Sequence, residues 1–450
     1  MLITGDLALM ALAYYGAYFI RFGDEATLLL AKRPAGEMIF VIILLMNSYL
    51  FEVYNLEKHC GSREILVNAT IAISVDFVML TCIFFIFPDL MVGRGLLAIL
   101  LILFFAVQYA WHVVYILGVK HPFMAENLLI LGTGSTARAM GDIIAETTSR
   151  FHHRLTGYVE CGETSDPPQV PLEMIVGEGG DLQEIVRHTR ASAVVVALSE
   201  KRGMVSFRNQ LLNCKFMGVS IYDSPTFYEE VTGKLMLSYG NIGDELIFSS
   251  GFRFGSNLGV MKRVFDIFLA LVGLLLVLPF FPLIALLVKL DSPGSIFYSQ
   301  ERVGLMGKMF ILYKFRSMRQ NAELLTGAVW AQQNDPRLSA IGSFLRKWRI
   351  DELPQLFNVL KGEMSFFGPR PERLEFVEKL TAVFPFYPKR HFVKPGITGW
   401  AQTRYPYGAS MEDAYQKLCY DLYYIKNSSP WLDLLIIFET FKVVIFGRGR

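Results

Sequence analysis

Long apolar runs fill the first 120 residues, at 7–20, 38–54, 66–87 and 96–117, with polar residues mostly confined to the gaps between them. Runs of this length predict four transmembrane helices over 1–120. The first is short for a span, so either Leu2 and Ile3 extend it past Asp6 or the true start lies upstream. Asp76 falls inside the third, where an ionisable group is costly, so it is expected to face the bundle and find a structural partner rather than serve transport. Loop cations (Arg21, Lys32, Arg33, Lys58, Arg63, Arg94) are too evenly divided to set an orientation, but four crossings leave both ends of the segment on one side.

From about Glu126 strand-like runs alternate with helical ones. Residues 127–131 read as a buried strand, Gly132-Thr-Gly134-Ser-Thr-Ala137 as a glycine turn, and a helix follows to about Ala145. Further strands are predicted at 157–160, 193–198 and 218–222, giving a Rossmann-like α/β domain over 121–248. Its turn could receive a nucleotide phosphate, with Glu160 where a ribose-binding acid would fall, but so permissive a fingerprint favours a degenerate, structural or regulatory domain.

A glycine-rich linker, 249–261, leads to an apolar run at 264–288 that is long enough to span. Pro279 and Pro282 interrupt its hydrogen-bond ladder, and Lys262, Arg263 and Lys289 place cations at both ends, which would prefer one headgroup layer. The pattern predicts a re-entrant membrane hairpin that opens a final domain over 262–450 and keeps it on the same face as the Rossmann-like domain. The fold class is therefore membrane α/β: a four-helix transmembrane segment, a Rossmann-like domain, and an α/β domain anchored by the hairpin. The apolar tail 431–446 carries Asp433, Glu439 and Lys442 and suits either an interfacial or a core helix.

Composition agrees. Hydrophobic residues make up 53% of the 450 and charged residues 19%, which displaces the chain from the soluble balance toward a membrane protein. A net charge of +2, with cations mixed among acids, does not indicate a nucleic-acid surface. Cys60, Cys82, Cys161, Cys214 and Cys419 form no CxxC pair and have no histidine at zinc spacing, so free thiols and no structural zinc are expected. No basic region followed by a small-residue cleavage site marks a cleavable signal peptide at the N-terminus.

The chemistry concentrates at 346–371, RKWRIDELPQLFNVLKGEMSFFGPRP, where Asp351 and Glu352 sit between groups of arginines. Pro354 fits a first helical turn, the helix continues through Leu356, Phe357, Val359 and Leu360, and Gly362 stops it. A carboxylate at that start is expected to have a lowered pKa from the helix dipole and to act as a nucleophile or bind a cation. The rigid Gly368-Pro-Arg-Pro371 loop should aim Arg370, with Arg346 and Arg349 opposite, for two-pronged contact with phosphate. Taken singly, an acid before a helix is commonly an N-cap and an acid beside arginine a surface ion pair; the conjunction points to phosphate.

With these motifs, residues 262–450 resemble the large monotopic polyprenyl-phosphate phosphoglycosyl transferases of bacterial polysaccharide assembly. The resemblance rests on KRVFD (262–266), SPGSIFYSQERVG (292–304), YKFRSM (313–318), RIDELPQLFNVLKGEMSFFGPRPE (349–372), VKPGITGWAQ (393–402) and KLCYDLYYIKN (417–427). The upstream regions resemble the family's long form. The resemblance implies transfer of a sugar-1-phosphate from a UDP-sugar to polyprenyl (undecaprenyl) phosphate, releasing UMP, to initiate exopolysaccharide, capsule or O-antigen synthesis. It makes Asp351 the nucleophile and Mg²⁺ ligand, Glu352 its dyad partner and Arg346 and Arg370 phosphate binders. Lys314, Arg316 and Asp421 take supporting roles, and Pro279, with Pro282, bends the membrane hairpin. It further implies Mg²⁺ as cofactor, a homodimer, and a bacterial inner membrane location with the active site on the cytoplasmic face. Trp348, Ser295 and Glu363 depart from the usual pattern without touching the dyad.

A membrane-bound nucleotide-sugar dehydratase or epimerase could share the first two regions, but it needs a Tyr-x-x-x-Lys pair beyond the glycine turn. The only such spacing, Tyr54 to Lys58, lies upstream. A non-catalytic assembly scaffold would not need the intact dyad.

Overall fold

The computed structural model describes residues 2–23, 34–54, 62–88, 93–119, 126–151, 153–161, 167–198, 203–237, 250–252, 256–319, 335, 337–406, 408 and 410–445. Lys32, Arg33, Lys58, Cys60 and most of the linker and its approach, 238–249 and 253–255, lie outside them. The chain divides into two compact units, Met1–Phe227 and Tyr228–Arg450.

In the first unit the apolar runs form helices Leu2–Phe22, Pro34–Leu50, Ser62–Ile86 and Arg94–Val119. The first does extend past Asp6 to Leu2. Among the described residues, three of these hold stretches long and apolar enough to cross a membrane, the second supplies a shorter apolar helix, Ile39–Leu50, and the fourth long stretch is Gly259–Asp291 in the other unit. Met10, Ala17, Leu44, Leu80, Leu100 and Phe104 form the bundle interior, while Phe19, Phe85, Ile102 and Leu117 stay exposed. Two buried acids inside are paired with side chains from other parts of the bundle, as an apolar surrounding favours. Buried Asp6 accepts hydrogen bonds from the Tyr54 hydroxyl (2.8 Å) and the Gln108 amide (2.6 Å) and lies 3.2 Å from His112 Nε2. Asp76 accepts one from Asn47 at 2.6 Å, the structural partner expected of it.

The same unit contains a five-stranded parallel sheet in the order β3-β2-β1-β4-β5, made of β1 (Glu126–Leu131), β2 (His153–Glu160), β3 (Ile175–Glu178), β4 (Ala193–Val196) and β5 (Ser220–Asp223). Leu128–Leu131 of β1 and Ala193–Val195 of β4 are essentially inaccessible, since the central strands of a parallel sheet are covered on both faces. β3 escaped prediction because four half-exposed residues, Ile-Val-Gly-Glu, carry no periodic signal. The helix after the glycine turn runs to Phe151, beyond the expected Ala145. Gly132 has φ +127°, and a Cβ there would stand 2.5 Å from the Ala197 carbonyl oxygen, so glycine is required by the neighbouring strand end. The chain's own segment is tied to this turn: the Gln169 amide donates to the Thr133 carbonyl, and Arg138 donates to the Gln169 carbonyl.

The second unit takes in the end of helix Ser224–Thr232 and, after the linker, helix Ser256–Val277, a 3₁₀ turn Leu278–Phe280 holding Pro279, and helix Phe281–Asp291 with Pro282 in its first turn. Proline removes ladder donors here, and the long helix stops. Phe268, Leu275, Leu276 and Leu290 are exposed along this apolar stretch. Only a few side chains turn inward: Ala270 and Leu274 pack with Phe310, Leu312, Leu356 and Met364, and Val288 packs with Phe315 and Leu345. The basic ends are tied down. Arg263 donates to the Val359 and Leu360 carbonyls, Lys262 pairs with Asp433 (3.0 Å), and Lys289 donates to the Gly294 carbonyl. An antiparallel ribbon, β6 (Phe297–Val303) with β7 (Met309–Phe315), and a short parallel pair, β8 (Ser365–Phe367) with β9 (Gly396–Thr398), carry the site residues. Helices Met411–Lys426 and Pro430–Ile445 close the main core, in which Leu235, Phe367, Trp400, Leu418, Tyr424 and Ile436 are buried.

Candidate active site

Helix Ala340–Lys347, started by the Ser339 side chain accepting from the Gly342 amide, ends in a turn that puts Arg349 at φ +54°. A left-handed turn after a helix is the usual place for glycine, and an arginine there is strained by about 1–2 kcal/mol. The strain positions the next residues. Asp351 and Glu352 follow in a 3₁₀ turn, Ile350–Glu352, Pro354 starts the helix Gln355–Lys361, and Gly362 at φ +88° ends it. Both acids are buried, at 4% and 6% exposure.

Three cations converge on Glu352. Lys314 Nζ from β7 lies 2.9 Å from Oε1, Arg370 Nη2 lies 2.8 Å from the same oxygen, and Arg349 Nη1 approaches Oε2 at 3.9 Å. Burial opposes the charge on Glu352, but Arg370, Lys314 and Arg349 outweigh it and hold its carboxyl well below the usual glutamate range. Asp351 moves the other way. Burial pushes it up, and the Glu352 charge adds to this against the pull of Lys314, Arg346 and Arg370. The expected lowering at a helix start is therefore corrected for Asp351: withdrawal from water outweighs the dipole of a seven-residue helix. Two adjacent carboxyls with pKa values driven apart are suited to different roles.

The predicted site residues separate into groups. Lys314, Arg349, Glu352 and Arg370 meet directly, and Arg346, half-buried at the end of its helix, acts on Asp351 through its charge. Arg370 keeps 37% of its side chain exposed, so this side of the cluster reaches the surface. Arg316 is not on the dyad. Its guanidinium binds the Val288, Ser292 and Pro293 carbonyls and ties β7 to the end of the apolar helix pair. Asp421 is also one step removed: its Oδ2 accepts from Arg390 at 2.6 and 3.1 Å, and Arg390 donates to the Tyr387 hydroxyl and, at 3.0 Å, to the Arg370 carbonyl. Burial works against the charge on Arg390, but Tyr387 and Asp421 hold its pKa above the ordinary value. This buried pair fixes the Gly-Pro-Arg-Pro loop from behind. Glu363, one of the departures, accepts from Asn358, which also donates to the Ile311 carbonyl.

Sequence reasoning missed Gln402. Its Oε1 accepts from Arg349 Nη1 (3.1 Å) and Arg370 Nη1 (3.2 Å), although as a neutral residue inside VKPGITGWAQ it carried no charge signal. β8 and β9 bring it there. Gly368 donates to the Thr398 carbonyl and Gly396 to the Pro369 carbonyl, so the segment carrying Gln402 runs beside the loop carrying Arg370.

The Bacterial sugar transferase model matches residues 258–447, which contain the whole site. Over 199 residues the chain is 43% identical to the exopolysaccharide production protein PSS of Rhizobium leguminosarum bv. phaseoli, covering 98% of that protein and 42% of this one. This chain belongs to the bacterial sugar transferase family. It is also 39% identical over 287 residues to the UDP-N-acetylgalactosamine-undecaprenyl-phosphate N-acetylgalactosaminephosphotransferase of Aeromonas hydrophila, and 32% identical over 335 residues to the undecaprenyl-phosphate glucose phosphotransferase of Komagataeibacter xylinus. These matches cover 60% and 72% of this chain, and 66% and 60% of the relatives, so the chain spans slightly under two thirds of their length.

Proposed function

We propose that the protein is a membrane phosphoglycosyl transferase that moves a sugar-1-phosphate from a UDP-sugar to polyprenyl phosphate and so initiates a bacterial polysaccharide. The observation that carries this is a buried Asp351 beside a Glu352 neutralised by Lys314, Arg349 and Arg370. A lone buried carboxylate without a proton or partner would be expensive, whereas here the cations that offset it also match a diphosphate. The names of the relatives, which act on undecaprenyl phosphate with glucose or N-acetylgalactosamine phosphate, support the same chemistry.

In this mechanism an ionised Asp351 oxygen attacks the β-phosphorus of the donor. The bond from that phosphorus to the bridging oxygen breaks, UMP leaves with the oxygen, and the phosphosugar is held on Asp351. An oxygen of polyprenyl phosphate then attacks the same phosphorus, the aspartyl bond breaks, and the carboxylate is regenerated. Splitting the transfer lets a water-soluble donor and a lipid acceptor use the site in turn. Arg370 and Arg349 orient the phosphates, while Lys314 and Arg370 keep Glu352 ionised.

Among the described residues no group of three or more His, Cys, Asp or Glu side chains forms a metal cage. The dyad nevertheless fits Mg²⁺, which takes few protein carboxylates and completes its shell with substrate phosphates; Glu352 Oε2 is buried with no hydrogen-bond donor among the described residues, leaving acceptor capacity there. Bound by Asp351 and Glu352, Mg²⁺ would supply positive charge to offset that on the leaving UMP.

The interrupted apolar stretch Gly259–Asp291, with both basic ends tied to one globular unit, supports a re-entrant hairpin rather than a span. A site beside such a hairpin suits a polyprenyl phosphate head at the cytoplasmic face of the inner membrane. The sheet order β3-β2-β1-β4-β5 supports a Rossmann-like reading of the other unit's α/β part. A homodimer rests on family analogy alone. The test is UMP release from a panel of UDP-sugars with polyprenyl phosphate and Mg²⁺. Asp351→Asn is expected neither to turn over nor to retain a labelled phosphosugar, and unchanged turnover eliminates the nucleophile.

A further inference from the structure

Gln402 does two things at once, and its orientation is not free. Arg349 and Arg370 can only donate, so the oxygen of the amide must face both guanidiniums and the nitrogen must face away from them. That nitrogen, Nε2, is buried and has no partner among the described residues. A buried amide donor without an acceptor is unfavourable, so its retention calls for a ligand oxygen.

The surroundings hold the residue rigidly. Trp400, 5% exposed, donates its indole N–H to the Gly233 carbonyl (2.7 Å), stacks on Tyr423, and carries the Arg404 guanidinium 4.5 Å from its ring centre. A Cβ at Gly399 would collide with the Gly368 carbonyl oxygen, so that glycine lets the short helix Trp400–Arg404 close onto the Arg370 loop. Two unpartnered buried atoms of opposite character thus occur around the same two arginines: Gln402 Nε2, a donor, and Glu352 Oε2, an acceptor. We infer that Gln402 is a donor-binding residue whose amide nitrogen hydrogen-bonds a phosphate oxygen of the nucleoside diphosphate while its amide oxygen spaces Arg349 from Arg370. The inference rests on the phosphoglycosyl transferase reading and deepens it by naming a neutral phosphate contact among the cations.

The test uses the full chain in lipid nanodiscs, titrated with UDP in the presence of Mg²⁺. Gln402→Glu keeps an oxygen for both arginines and removes the N–H, and Gln402→Met removes both functions while keeping the length. Both variants are expected to weaken UDP binding about tenfold or more. Gln402→Glu should melt no lower than wild type, because a carboxylate pairs with two arginines at least as well as an amide does. Wild-type affinity in either variant overturns the inference while leaving the proposed function standing. A wild-type protein that binds no UDP sinks both.

Discussion

Replacing Asp421 by asparagine tests whether this acid binds metal or holds Arg390. Asp421 and Arg390 are 3% and 5% exposed, and their closest approach is 2.6 Å. Removing one charge of such a pair leaves the other buried without compensation, which destabilises by about 3–5 kcal/mol. For a unit of this size, about 2–4 °C of melting temperature is lost per kcal/mol, so the transition should fall by roughly 6–20 °C. Turnover should fall as well, because Arg390 Nη2 is the donor that holds the Arg370 carbonyl at 3.0 Å. The assay pairs a thermal melt in nanodiscs with UMP release over a range of Mg²⁺. A double replacement, Asp421→Leu with Arg390→Met, should recover much of the stability but not the turnover, since the loop loses its anchor in either case. Two results would refute the reasoning. One is an unchanged melt; the other is a turnover loss that excess Mg²⁺ restores, which would make Asp421 a metal ligand.

Arg349→Gly should melt at or above wild type, because glycine relieves the left-handed turn, yet bind UDP more weakly for want of the guanidinium on Glu352 and Gln402; a melt lowered by several degrees would show that the strain estimate is wrong. The nucleophile must be ionised and burial raises its pKa, so phosphosugar capture should fall as pH drops through a value above the ordinary aspartate range. Glu352→Gln removes a like charge and frees Lys314 and Arg370 to act on Asp351, so it should move that limb to lower pH while slowing the reaction; a limb that stays put or moves up contradicts the assignment. Single cysteines at Val260 and Ser295 should label from the same side of the membrane, and labelling from opposite sides would rule out the hairpin.

What the sequence determined by itself was local. Runs of apolar residues fix where helices form because hydrophobic length is a property of contiguous residues, and the apolar helices 2–22, 62–86 and 94–119 lie close to where the pattern put them. Pro279, Pro282 and Gly362 likewise act on their own backbone, so the interrupted helix and the helix stop were legible. The cluster 346–371 was legible because its residues are neighbours in the chain. Strand β3 was not, because four residues paired only to β2 have no pattern of their own.

Tertiary structure decided everything that depends on distance in space. Lys314, Gln402 and Arg390 reach the dyad or its loop from β7, from beyond β9 and from a 3₁₀ turn, across separations that no motif spacing encodes. It sent Arg316, two residues from Lys314, to the carbonyls behind the apolar helix pair, because Arg316 lies just past the end of β7, where strand alternation no longer sets the face. It also reversed the expected pKa of Asp351. Dipoles and neighbouring charges can be read along a chain, but withdrawal from water exists only once distant segments have packed around the carboxyl.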